Sequence, residues 1–151
     1  MTEKELNITL REMARKVGLC DEWYEAWSDD DTIDECLHRY VRGFDFAVKN
    51  DWPPLDFCRE NFRKEELHRH NIYLDDNPLI DEANSGYYIF LGKSVATIYV
   101  KGLKVVTIYC RHDSVVNVIA SEGSRVFIHY YDQSDGNFRC DKHSRVKTYR
   151  K

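Results

Sequence analysis

The sequence has no long apolar run. Its hydrophobic stretches are short and broken by charge, which excludes a membrane-spanning helix. It has no CxxC pair. The five cysteines (Cys20, Cys36, Cys58, Cys110 and Cys140) are odd in number and widely scattered. That pattern argues against a disulfide framework or a four-thiolate zinc site and predicts reduced, buried thiols in a cytosolic chain. No strong excess of charge is present. A formal net charge of −4 over 151 residues gives no general reason to expect nucleic acid or an anionic membrane as partner. The motifs GxGxxG, P-loop, HExxH and GxSxG are all missing. Calcium-loop spacing is missing too: Asp75-Asp76-Asn77 runs into Pro78, which suits a turn. The charged start, Met1 to Glu5, has no apolar stretch after it, so no secretory leader is expected. What remains is 42% hydrophobic and 32% charged, the balance of a folded soluble domain and not of a disordered tail.

The first 70 residues read as helices. Thr2 with Glu5 forms a capping box, and Leu6, Leu10, Met13, Ala14 and Val17 follow on one helical face. Gly18 is placed to end that helix. A short second helix over Cys20 to Trp27 puts Trp23 and Trp27 on one face. Thr32 with Glu35 opens a third helix that carries Ile33, Cys36, Leu37, Tyr40, Val41 and Phe44 and is expected to run to about Asn50. Trp52-Pro53-Pro54 breaks it. A fourth helix then carries Leu55, Cys58 and Phe62, with a further helical turn through Leu67. The acidic residues Asp21, Glu22, Glu25, Asp29, Asp30, Asp31, Asp34 and Glu35 have no basic residue among them. They are expected to form a solvated face and to cap helix N-termini, with a surface for a basic partner as the alternative.

From Ser94 the chain divides into ten-residue units. Ser94, Ser114, Ser124, Ser134 and Ser144 hold the first position, with Lys104 in the second unit. The third position reads Ala96, Val106, Val116, Val126, Gly136, Val146. The fifth reads Ile98, Ile108, Val118, Ile128, Phe138, Thr148. The seventh reads Val100, Cys110, Ala120, Tyr130, Cys140, Arg150. Alternate positions that are alike predict the inward face of a strand, and each unit ends in turn-forming residues. Two architectures fit. A β-solenoid stacks equivalent positions on one another, and the in-register columns favour it. An antiparallel meander, with each turn a hairpin, is the alternative.

The outward positions carry a second pattern. Val95, Tyr99, Val105, Tyr109, Val115 and Ile119 make the early units apolar on both faces, which predicts cover on the outside by the helical half or by a second subunit. The late units place Arg125, Asp135, Arg139, Arg145 and Lys147 there. Gly136, Thr148 and Arg150 replace core residues near the chain end, as in the atypical terminal unit of a repeat. The basic residues Arg139, Lys142, Arg145, Lys147, Arg150 and Lys151 cluster at that edge, where charge resists further strand pairing.

The segments Gly18-Leu19-Cys20-Asp21-Glu22-Trp23, Tyr40-Val41-Arg42-Gly43-Phe44-Asp45-Phe46, Asn50-Asp51-Trp52-Pro53 and Ile108-Tyr109-Cys110-Arg111-His112-Asp113-Ser114, with the strand units that follow, span most of the chain. Together they resemble an uncharacterised family of small proteins of gut Bacteroidetes and their mobile elements. The resemblance implies a helical head, a short linker, a repetitive β tail and an accessory role in a bacterial or phage genome. It supplies no activity and no catalytic residue. The tail is also loosely similar to the strands of adhesin-head β-helices.

Candidate chemistry is sparse. His68-Arg69-His70 would share a face only on a strand, has no evident third metal ligand besides Asp75 or Asp76, and reads as an exposed helix end. Arg111-His112-Asp113-Ser114 holds the residue types of a hydrolase triad, but neighbours in sequence do not form that geometry and a turn is expected. Cys110 faces inward by the repeat phase and is expected to be inert. Cys58 with His38 or His68 would need assembly across helices.

These readings combine into an α+β protein: a helical bundle over 1–70 packed on a β-solenoid over 94–151, with 71–93 as a connecting segment. The expected function is non-catalytic protein binding or self-assembly. Tyr99, Tyr109 and Tyr149 are expected in one outward column and, with Arg139, Arg145 and Lys147, are the candidate binding residues. Packing beneath the helices is the competing reading for Tyr99 and Tyr109. Neither a metal nor a cofactor is expected, and catalytic residues are not assigned. Alternatives are a small enzyme or enzyme regulator with Tyr40, His38, Asp45 and Arg42 around a pocket, and, more weakly, nucleic-acid contact through the basic end.

Overall fold

A computed structural model describes all residues 1–151. The chain divides into two compact units, Met1–His70 and Asn71–Lys151. None of its helices is long and apolar enough to cross a membrane.

The first unit holds six helices: α1 (Glu3–Lys16), α2 (Asp21–Ala26), α3 (Ile33–Arg42), α4 (Phe44–Asn50), α5 (Leu55–Asn61) and α6 (Lys64–His68). Both expected capping boxes form, Thr2 with Glu5 and Thr32 with Glu35. Leu6, Leu10 and Ala14 are buried, whereas Val17 is exposed at the end of the expected stripe. The single helix expected over 32–50 is two, split at Gly43. A Cβ at Gly43 would lie 3.3 Å from the Arg39 carbonyl and 3.6 Å from the Trp23 ring, so glycine lets this ring lie close to the chain. The break re-aims α4, which buries Phe44 and Ala47 and brings Phe46 edge-on to Trp52.

One polar side chain sits at the centre of this core. Asn7, fully buried, accepts from the Trp27 indole N–H (2.6 Å) and from the Cys36 thiol (3.1 Å), and donates to the Ser28 carbonyl (2.9 Å). The apolar stripe gave no sign of it.

The second unit is a two-sheet parallel β-solenoid of about four turns. Its strands are β1 (Ile72–Leu74), β2 (Leu79–Ile80), β3 (Gly86–Leu91), β4 (Val95–Lys101), β5 (Val105–Cys110), β6 (Val115–Ser121), β7 (Arg125–Tyr130), β8 (Asp135–Cys140) and β9 (Arg145–Arg150). Odd strands form one sheet, β1-β3-β5-β7-β9, here called sheet A. Even strands form the other, β2-β4-β6-β8, here called sheet B. Every ladder is parallel, which excludes the meander. From β4 onward, residues twenty apart are partners, as Val95 with Val115 and Val105 with Arg125, so two ten-residue units make one coil. The segment 71–93, expected as a connection, carries β1 to β3 and is the first part of the coil stack.

The expected inward columns fill the space between the sheets. Ala96, Ile98, Val100, Val106, Ile108, Cys110, Val116, Val118, Ala120, Val126, Ile128 and Tyr130 are buried in one cluster. The first-position serines are buried at the corners, where hydroxyls donate to backbone carbonyls. Ser114 reaches Gly92 O (3.2 Å), Ser124 reaches Val100 O (3.2 Å) and Ser134 reaches Cys110 O (3.0 Å). Lys104, the exception in that column, donates from its ammonium to Ala83 O (2.8 Å). Gly92 O and Cys110 O also accept backbone N–H bonds from Asp113 and Tyr131, so the carbonyl's second acceptor position is what satisfies the buried serine hydroxyl.

The inward column thins in the coil of β8 and β9. Phe138 is 44% exposed, Cys140 and Thr148 are exposed, and Arg150 lays its guanidinium over the Tyr130 ring at 5.1 Å. The column rule suggests that Gly136 would be improved by a valine. The structure implies the reverse, because a Cβ there would overlap the Val116 carbonyl oxygen. Gly136→Ala is expected to lower the stability of the solenoid by about 1–3 kcal/mol, the usual cost of overpacking, read as a fall in the denaturant midpoint.

Candidate functional site

The six candidate binding residues separate onto the two sheets. Tyr109 and Tyr149 stand on the outer face of sheet A with His129 between them. The three rings form a stack, with centroids 5.2 Å apart for Tyr109–His129 and 4.7 Å for His129–Tyr149. Tyr99 does not join them. It lies on sheet B in the column Tyr99–Ile119–Arg139, so the expectation of one tyrosine column is corrected. The physical reason is the two-sided coil: successive units face opposite ways, and only alternate units share a face.

Arg145 and Lys147 lie on sheet A beside the ring stack. Arg145 ends the column Val105–Arg125–Arg145, and Lys147 ends Thr107–Phe127–Lys147. The ammonium groups of Lys147 and Lys151 sit 5.8 and 5.9 Å from the Tyr149 ring centroid. Arg125 is anchored by donating to the carbonyls of Gly123, Ser124 and His143. The outward positions of β5, β7 and β9 hold no acidic residue. The result is a flat face with an aromatic ladder and a basic margin. Arg125, Phe127 and His129 were missed from the sequence as members of this site. They become legible once the period is read as twenty and not ten.

The exposure of the early outward residues is uneven. Val95 is 49% and Val105 55% exposed, while Tyr99, Tyr109, Val115 and Ile119 are half-buried.

The other sequence candidates fall apart geometrically. Arg111-His112-Asp113-Ser114 is a turn in which His112 has φ +58°, Arg111 pairs with Asp132 (3.1 Å) and Ser114 is buried. Burial pushes the Cys110 thiol up, and pushes the Cys36 thiol up to about 12, so both are inert at neutral pH. The expectation of five buried thiols is corrected at Cys20 and Cys140, which are exposed. Cys58 is buried, with its thiol 3.7 Å from the Pro53 carbonyl, and His68 is exposed. Tyr40 is buried against Phe44 (5.6 Å) and Trp52 (6.4 Å), whereas His38, Arg42 and Asp45 are exposed. His38 and Arg42 line one shallow hollow with Asp34, Glu35, Arg39 and His70, and Tyr40 and Asp45 are not among its walls.

The acidic run finds its cations within the first unit. Asp21 pairs with Arg15, Asp29 with Arg11, Asp30 with Lys4 and Asp31 with Arg39. Asp34 accepts from His70 (2.8 Å) and Arg69 (3.2 Å), and hydrogen bonds from these two hold its carboxyl below the usual carboxylate range. A lowered folded pKa stabilises the folded state above the unfolded carboxyl pKa of about 4, and the contribution is lost as pH falls through the folded value. His70→Ala is expected to raise the Asp34 carboxyl toward its ordinary pKa in an NMR titration. An unchanged titration would mean that Arg69 alone sets it.

Compared with known protein families, with curated proteins and with solved structures, the chain matches none.

Proposed function

We propose that the chain is a non-catalytic protein-binding module whose outer face of sheet A docks an acidic protein surface. The observation that supports this most is the convergence on one flat face of the Tyr109–His129–Tyr149 stack with Arg145, Lys147 and Lys151. Aromatic side chains contribute large contact area at low entropic cost, and arginine is enriched in interfaces. A solenoid gives such a face rigidity, because each inner coil is paired on both sides. The cations at the margin oppose pairing of this face with its own copy and favour a partner of opposite charge.

Fluorescence anisotropy with a labelled polyglutamate peptide tests the reading, alongside the double variant Arg145→Glu/Lys147→Glu and the single variant Tyr149→Ala. Saturable binding that both variants weaken severalfold supports it. No binding at low salt, or binding that neither variant changes, overturns it. Tighter binding of a labelled oligothymidine than of polyglutamate would replace the acidic protein by a single-stranded nucleic acid. A dimer mass in light scattering that the double variant abolishes would replace it by a second copy.

A further inference from the structure

The first unit contains a cleft that the proposed docking face does not use. It is lined by all three tryptophans of the chain, together with Leu19 and Phe46, and encloses about 200 Å³. Trp27 and Trp52 are buried and meet edge to face at 5.9 Å. Phe46 meets Trp52 edge-on at 5.9 Å. Trp23 is half-buried and completes the aromatic lining.

The walls are held in place before any ligand arrives. The Trp27 indole N–H donates to Asn7 Oδ1 (2.6 Å), and the Trp52 indole N–H donates to the Leu10 carbonyl (3.1 Å). Both rings are therefore oriented by bonds to α1 and not by each other alone. These bonds orient two of the three tryptophans that line the cleft.

The charge state of the lining selects the ligand. Arg39 is the only charged residue that lines the cleft. Its guanidinium donates to Asp31 Oδ2 (2.7 and 3.1 Å) and to the Ala26 carbonyl (3.1 Å), and lies over the Trp27 ring at 5.4 Å. That charge is already answered, and Arg42, over the Trp23 ring at 5.4 Å, does not line the cleft, so the lining itself offers a charged ligand no free partner for its lost hydration. The volume is below the roughly 300 Å³ at which drug-sized ligands begin, so the guest is compact. Trp27 and Trp52, both buried, form the floor, and the half-buried Trp23 and Phe46 supply the aromatic surface a guest would meet, which favours a flat ring. We propose that this cleft binds a neutral, planar aromatic molecule of one or two fused rings.

Cys20 lines the same cleft and is exposed, which makes its thiol a reporter, while Cys140 is exposed in the other unit and serves as reference. The full chain is alkylated with iodoacetamide at rising concentrations of indole, and modification is followed peptide by peptide by mass spectrometry. Indole is expected to slow alkylation of Cys20 severalfold and saturably, and to leave Cys140 unchanged. Cyclohexanol, neutral but not aromatic, and indole-3-acetate, aromatic but charged, are expected to protect much less. Absence of protection up to the solubility limit of indole overturns the proposal. So does equal slowing at both cysteines, or protection by either control as strong as by indole. Trp23→Ala, at a half-buried position, is expected to abolish the protection while the thermal transition remains. Protection that survives in a folded Trp23→Ala chain also overturns it.

Discussion

Ile108→Asp is expected to unfold the solenoid. Ile108 is fully buried on β5, stacked between Tyr88 of β3 and Ile128 of β7, with its side chain in the cluster between the sheets. An aspartate there leaves water without gaining a cation. The effective penalty for an unpaired buried charge is several kcal/mol, against a total domain stability of about 5–15 kcal/mol. Lost packing of the isoleucine adds about 2–5 kcal/mol. Val118→Asp on β6 is expected to behave alike, because Val118 is equally enclosed from the opposite sheet. Thr107→Asp is the control: it is one residue away, faces outward and is half-buried. It is expected to shift stability by no more than about 0.5–1 kcal/mol. Circular dichroism with urea unfolding separates the outcomes. Loss of the β signal in the two inward variants and its retention in Thr107→Asp fit the fold. Wild-type stability in both inward variants would remove the assigned inward face.

Asn7→Leu is expected to destabilise the helical unit by about 2–4 kcal/mol. Leucine has as many side-chain heavy atoms and is bulkier, so no cavity is left and overpacking of this fully buried site adds to the cost. The remaining cost comes from what is left behind. Without Asn7 the Trp27 indole N–H and the Ser28 carbonyl lose the bonds they make to it, and the Trp27 ring is buried. The Ser28 carbonyl keeps the Asp31 N–H, so the group orphaned from water is the Trp27 N–H, at about 1–3 kcal/mol. Cys36→Ala removes only a weak thiol donor to the same oxygen and a small volume, and is expected to cost about 1 kcal/mol. Chemical denaturation followed by tryptophan emission ranks the two. A cost for Asn7→Leu no larger than for Cys36→Ala would mean that Trp27 finds another acceptor and that Asn7 is not the anchor of this core.

The two sites differ in how far a sequence can reveal them. Ile108 belongs to a column visible as a repeat, because burial on a strand alternates with a period of two and hydrophobicity reports it directly. Asn7 belongs to no such pattern. It is a polar residue inside an apolar stripe, and its partners Trp27, Ser28 and Cys36 lie in later segments that only folding brings near. The break at Gly43 was hidden for a similar reason. A single glycine inside a helical pattern costs only about 1 kcal/mol, so the pattern alone does not stop there, and it is the Trp23 ring against that position that makes it a corner.

At the candidate binding surface the division is sharper. Tyr109, Tyr149, Arg145 and Lys147 were legible as outward residues, and they do share a face. Tyr99 was equally legible as outward, but outward on sheet B. A ten-residue repeat states the length of one strand and one turn. It carries no information on how many such units close a coil, since that depends on how the turns bend the chain in space.

Local patterns were enough for the helical first 70 residues, both capping boxes, the strand-and-turn unit and its inward columns. Each of these depends on hydrogen bonding between near neighbours and on the period of apolar residues. Folding in three dimensions settled the rest: that two units make a coil, that the buried corner serines find backbone carbonyls distant in sequence, and that three tryptophans from separate segments share one cleft. Those features depend on groups distant in sequence meeting in space, and the sequence records their chemistry without recording their neighbours.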